Sequence, residues 1–221
     1  EIICVIIWEI NFMEETDKIL AKIDFLRIVF AQIITLLPKF DIADKTVLPY
    51  GLKPHTRSVS WIVEQVIVQQ AKFRKDELGL DEVSFDMPDT CLHDCVILKG
   101  GQKYFVNVKI HNIDGKENKN DISAVEKLYF QYSANPDYDL IFACVGVSFK
   151  ENSIFFDQNY LEIFSAQFLP IYVNPRNDKI QAKYNHKIEI RTRKDFLKLL
   201  KKNSKSIILK MVLFYVCDFY P

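Results

Sequence analysis

Between Leu140 and Phe149 the chain reads LIFACVGVSF, ten residues without a charge. A strand with one wet face alternates apolar and polar side chains, so an unbroken apolar run asks for cover on both faces. That requirement points to an interior strand of a layered α/β protein. With 49% hydrophobic residues in 221, the chain has ample material for such a core.

The segments around this run supply the layers. Ile19, Ile23, Leu26, Phe30, Ile33, Ile34 and Leu37 recur at helical spacing, predicting a helix over Glu14–Leu37 that Pro38 stops. Its wide apolar surface calls for burial, either in the core or against a second subunit. Pro49, Gly51 and Pro54 mark a loop over Phe40–His55. A second helix is expected from about Thr56 to Leu78, with Val59, Ile62, Val63, Val66 and Ile67 inward and Gly79 at its end. A short strand near Val83–Asp86 precedes a hairpin within Cys91–His111, and His111–Asn120 is a polar surface loop. Asp121 is placed to cap a helix reaching about Asn135. Beyond Leu140–Phe149, strands are expected at Ile154–Phe156, Leu169–Val173 and Ile188–Ile190, then a basic helix over Arg193–Lys202. This order has no internal repeat and implies an α/β fold, a central mixed β-sheet flanked by helices, in one domain spanning 13–205. Residues 1–12 and 206–221 are apolar terminal segments. The first is read either as an edge strand or as sequence ahead of a start at Met13, and both are too short for a membrane span.

Charge is balanced overall, with 29 basic and 29 acidic residues, so bulk charge asks for no polyanionic partner. The distribution differs: twelve of the basic residues but three of the acidic ones lie between Arg176 and Lys210, which suits one face for a phosphate backbone, or equally a solvated lysine-rich helix. Five cysteines scattered through apolar segments fit reduced thiols in the cytoplasm better than a disulfide framework. Cys91, His93 and Cys95 alternate along one strand, but zinc sites converge their ligands through turns and no fourth ligand is in view. There is no glycine-rich phosphate loop after a strand, no G-x-S-x-G and no H-E-x-x-H, which removes several enzyme classes.

The hairpin CLHDCVILKGGQKYFVNVKIH carries the chemistry. Alternation puts Leu92, Asp94, Val96 and Leu98 on one face of the first strand and Phe105, Asn107 and Lys109 on one face of the second. A carboxylate, a carboxamide and an ammonium thus occupy positions where a core would carry valines. Asp94, the Asn107 carbonyl oxygen and the Val108 backbone carbonyl are hard oxygen donors suited to Mg²⁺ with several waters. Lys109 could orient or help deprotonate water, or neutralise charge on a phosphoryl transition state. A plainer reading has Asp94 capping the strand, Asn107 satisfied by backbone and Lys109 reaching solvent.

The spacing Asp94, then Asn107-Val108-Lys109 thirteen positions on, with a Gly-Gly turn between, resembles the PD-(D/E)XK nucleases, most closely type II restriction endonucleases. The resemblance covers roughly 56–150. It implies that Asp94 is the metal-binding motif aspartate, Asn107 the second motif position, Lys109 the motif lysine, and Glu64 the helix glutamate that some members add. Asp94 is preferred to Asp89 because it leads straight into the strand. Also implied are Mg²⁺ or Mn²⁺ as cofactor, double-stranded DNA as substrate and a homodimer. Lys116 and Lys119 of the polar loop, with Arg191, Arg193 and Lys194 of the basic stretch, are the candidates for DNA contact. Because Asn107 stands where the family has an acid, a DNA-binding protein with a decayed nuclease site is the alternative. A non-catalytic interaction module is a third reading.

Overall fold

The computed structural model describes residues 2–44, 46–50, 56–88, 90–204 and 207; Asp89, the residue to which Asp94 is preferred, lies outside them, as do Pro54 and most of the apolar tail. The fold class is α/β, with a six-stranded mixed sheet and a separate three-stranded one. The residues gather into two compact units. One comprises Leu20–Glu117 with Leu140–Ser165, and the other Glu1–Ile19, Asn118–Asp139 and Ala166–Pro221, as far as these are described.

The larger unit is built on the sheet β1-β7-β6-β4-β3-β2. Its strands are β1 (Lys39–Asp41), β2 (Glu82–Ser84), β3 (Cys95–Lys99), β4 (Gln102–Asn112), β6 (Leu140–Lys150) and β7 (Ser153–Ser165). Only β4 and β6 run parallel. As its composition demands, β6 is covered on both faces, with every residue from Leu140 to Val147 buried. The β3–β4 turn is two glycines with φ of 57° and 76°, the left-handed pair that a tight hairpin with right-twisted strands requires.

Helix α1 spans Ile2–Leu36, so residues 2–12 continue the helix and are not an edge strand. No glycine or proline interrupts the sequence before Pro38, which explains the extension. Ile23, Leu26, Phe30, Ile33 and Ile34 are buried within the chain, so a second subunit is not needed to cover that stripe. Helix α2, Thr56–Phe73, buries Val59, Val63, Ile67, Val68 and Ala71 and stops before the expected Leu78. Among the described residues no helix is long and apolar enough to cross a membrane.

The smaller unit holds β5 (Asn120–Ala124), α3 (Val125–Ala134), β8 (Val173–Asn174), β9 (Lys179–Ala182) and α4 (Arg193–Asn203), with strand order β5-β9-β8. Asp121 is in β5 and caps no helix; its carboxylate accepts from Gln181 and Asn177, and α3 begins four residues later without a side-chain cap. Ile188–Ile190 forms no strand. Helix α4 starts where expected, capped by Thr192, whose Oγ1 accepts from the Asp195 backbone.

Candidate functional site

The hairpin register puts Val96 beside Phe105, which places Asp94 level with Asn107 on the same, half-buried sheet face. Asp94 precedes the first residue of β3. Its backbone N–H donates to Val106 O at 2.8 Å, and its Oδ2 accepts from Val108 N at 2.7 Å, satisfying β4 where β3 has run out. In a strand the N–H and C=O of a residue point the same way, so the Val108 carbonyl is directed to the side on which Asp94 sits.

Asn107 is fixed by its amide. Nδ2 donates to Leu92 O at 2.8 Å and lies 3.5 Å from Asp94 Oδ1, an arrangement that only the nitrogen can make. Its other end, Oδ1, is buried with no hydrogen-bond partner. Leaving an acceptor unmet in this way costs about 1–3 kcal/mol, a cost that calls for a reason.

Glu64 of α2 and Lys109 of β4 complete the group. Burial lifts the Glu64 carboxyl above its ordinary range, the Asp94 charge lifts it further and the Lys109 charge opposes both. Asp94 is also raised by burial, against the pull of Lys109 and the hydrogen bond from Val108. Two carboxylates with affinity for protons, an orphaned carboxamide oxygen and a backbone carbonyl share the end of β3. That donor set fits a hard divalent cation, which would relieve the carboxylate repulsion and give Asn107 Oδ1 a partner. Among the described residues no three His, Cys, Asp or Glu side chains converge as metal ligands, so a cation here would keep much of its water. Of the two cysteines flanking His93, Cys91 is exposed and Cys95 is buried.

The sequence reading misses a second polar cluster on the same sheet face. Lys109 pairs with Cys144 of β6, which pairs with Glu162 of β7. Two residues beyond Lys109, His111 Nε2 meets Glu117 Oε2 at 3.0 Å, and the same oxygen accepts from Tyr160 Oη at 3.1 Å. The His111 and Tyr160 rings stack with centroids 4.6 Å apart. The only sequence signals for this cluster are period-2 continuation from Lys109 and Gly146 inside an apolar strand.

The five DNA-contact candidates divide. Lys116, Lys119 and Lys194 are exposed, and Lys119 stands over the Tyr172 ring at 4.3 Å. Arg191 and Arg193 are engaged by groups of the fold. Arg191 is 8% exposed and gives its guanidinium to Gln167 O, Leu169 O and Glu189. Arg193 donates to the carbonyls of Tyr132, Asn135 and Tyr138 and to Asp139, stacked on the Tyr132 ring. These guanidinium donors are directed to groups inside the unit. Comparison of the chain with known protein families and with characterised proteins gives no match.

Proposed function

We propose that the chain is a metal-dependent DNA endonuclease of the PD-(D/E)XK type, resembling type II restriction enzymes. The observation that carries this reading is Asp94, hydrogen-bonded to Val108, beside the partnerless Asn107 Oδ1, with Glu64 and Lys109 near enough to act on the Asp94 charge and on each other. Asp94, Asn107 Oδ1 and the Val108 carbonyl would hold Mg²⁺ or Mn²⁺, with Glu64 as the second carboxylate that Asn107 does not provide. The cation would supply Lewis-acid charge beside a phosphodiester. Lys109 orients the attacking water and offsets the negative charge that grows on phosphorus. Lys116, Lys119 and Lys194 are free to meet phosphates, which position DNA without reading its sequence. Cutting both strands of a duplex takes two such sites, hence a homodimer. The free thiols of Cys91, Cys95 and Cys144 suit a cytoplasmic setting.

Incubating plasmid with the protein in Mg²⁺, Mn²⁺ or EDTA, followed by end sequencing, tests the reading. Cation-dependent cleavage that Lys109→Ala abolishes supports it; cleavage that survives Asp94→Ala shows the site is wrongly placed.

A second reading, a DNA-binding protein with a decayed nuclease, is favoured by the Asn107 amide bond to Leu92, which gives Asn107 a structural task. On that reading the wild type binds DNA without cutting it, and Asn107→Asp brings cleavage back.

A further inference from the structure

The geometry points to His111 as the general acid that protonates the leaving oxygen of the phosphodiester, with Glu117 and Tyr160 as its positioning residues. This rests on the nuclease reading above. Strand alternation sets His111 on the same face as Asn107 and Lys109, roughly 6.6 Å of strand beyond Lys109 at about 3.3 Å per residue. A group that activates water and a group that protonates the departing oxygen must flank phosphorus from opposite sides, and a two-residue step along one strand provides that separation.

The chain goes to some length to hold this ring. The β6–β7 register jumps from Val145 opposite Leu161 to Gly146 opposite Asp157, so Gln158, Asn159 and Tyr160 bulge from β7. The bulge folds Tyr160 over Gly146, which is the β6 partner of His111. A Cβ on Gly146 would lie 2.6 Å from the Tyr160 Cβ and 2.9 Å from the Ile113 methyl, so only glycine lets Tyr160 stack on the imidazole. Glu117 arrives from the polar loop after β4, accepts from Tyr160 Oη and sets the same carboxylate oxygen 3.0 Å from His111 Nε2. A carboxylate against one imidazole nitrogen fixes the tautomer and stabilises the imidazolium, the arrangement by which a histidine is readied for proton transfer. Glu117 and Tyr160 meet this ring, and the charged and titratable groups coupled to that cluster are Lys109 on the same strand, Glu162 on β7 and Cys144 on β6, with Arg27 of α1 acting on Glu162. The His111 and Glu117 side chains keep 12% and 17% of their surface, enough to reach a ligand.

The step balances as follows. A water oxygen bonds to phosphorus and its proton passes to solvent. The bond from phosphorus to the leaving oxygen breaks with its electron pair on that oxygen. The His111 imidazolium supplies the neutralising proton, and solvent recharges the ring.

The experiment uses two duplexes spanning the mapped cut, one all-oxygen and one with sulfur replacing the leaving oxygen, each with Mn²⁺. Thiolate departs without a proton. Removing a general acid costs about 10²-fold or more, so His111→Gln is expected to slow the all-oxygen duplex by that factor and leave the sulfur duplex nearly unchanged. Glu117→Gln follows the same pattern with a smaller loss. Binding of the uncut duplex in EDTA, read by fluorescence anisotropy, stays at the wild-type level in both variants. Equal losses on the two duplexes, or no loss on either, overturn the assignment of His111 while leaving the nuclease intact. A wild-type protein inert on both removes the nuclease reading and the general acid with it.

Discussion

Asn107→Asp restores the acid that the resemblance leads one to expect, and the structure says what it would cost. The amide nitrogen is 3.5 Å from Asp94 Oδ1 and 2.8 Å from Leu92 O, so a carboxylate there faces a second carboxylate and a carbonyl. Two like charges about 4 Å apart repel by about 4 kcal/mol at the effective dielectric of partly buried sites. The protein can escape by protonating one carboxyl, but holding a proton at pH 7, about three units above an ordinary aspartate, costs about 4 kcal/mol as well. Either way the metal-free variant loses about 4 kcal/mol. For a chain of this size that lowers Tm by roughly 8–16 °C.

The dependence on pH has a definite sign. The new carboxyl has a folded pKa raised above its unfolded value, so the folded state binds more protons between the two. The penalty is therefore absent below about pH 4, about 1.5 kcal/mol at pH 5, and grows toward neutrality. A divalent cation reverses it, because the paired carboxylates then become ligands. Thermal unfolding of wild type and variant at pH 5 and 7.5, in EDTA and in millimolar Mg²⁺ or Mn²⁺, reads all of this. Should the variant melt with the wild type at pH 7.5 in EDTA, the two side chains are not adjacent in a shielded site. Should it melt low and ignore the cation, the adjacency stands and the cation reading fails.

Two further outcomes follow from the same geometry. Burial and Asp94 raise the Glu64 carboxyl, so its ionised form destabilises the metal-free fold; Glu64→Gln is expected to raise Tm at pH 7.5 in EDTA, with the gain vanishing toward pH 4, while slowing cleavage of plasmid. Arg193→Ala strands three carbonyls and Asp139, and is expected to cost about 3 kcal/mol or more in denaturant unfolding. Lys194→Ala and Lys116→Ala, by contrast, are expected to leave stability within about 0.5 kcal/mol and each lower the salt dependence of DNA binding by about one ion.

What the sequence makes legible here is local. Asp94, Asn107 and Lys109 lie on two strands joined by two glycines, so alternation alone brings them level, and the structure places Asp94 hydrogen-bonded to Val108 and beside Asn107. Glu64 needs only a helix packed on the neighbouring strand. The His111–Glu117–Tyr160 group depends instead on a bulge in β7 and on residues 43 apart meeting at one oxygen, and no periodicity encodes that. The β7 strand runs well past the expected Ile154–Phe156 because its ladder with β6 resumes beyond the bulge, at Leu161. Arg191 and Arg193 carry a related lesson: a basic run in sequence does not say which guanidinium the fold takes inward to serve backbone carbonyls. Asp121 shows competition between local and distant partners, since the Asn177 and Gln181 amides hold it in β5.

Lys109 has two separable tasks, and its environment tells them apart. Its charge lowers the proton affinity of both Asp94 and Glu64, working against their burial. Removing that charge lets both carboxyls rise, so they ionise at higher pH than in the wild type and bind a cation only from a higher pH upward. If this electrostatic task is the whole contribution, Lys109→Met should behave as a wild type whose acidic limb is displaced upward, recovering full activity as pH rises and the carboxylates ionise. If Lys109 also orients the attacking water or meets charge on phosphorus, raising the pH restores cation binding, measured by Mn²⁺-dependent stabilisation in thermal unfolding, but leaves cleavage suppressed. The second pattern is the one expected, because Glu64 and Asp94 can be ionised by base while nothing in the solvent replaces a fixed ammonium two residues from Asn107. Full recovery of cleavage at high pH would reduce Lys109 to a counterion and shift water activation to another group.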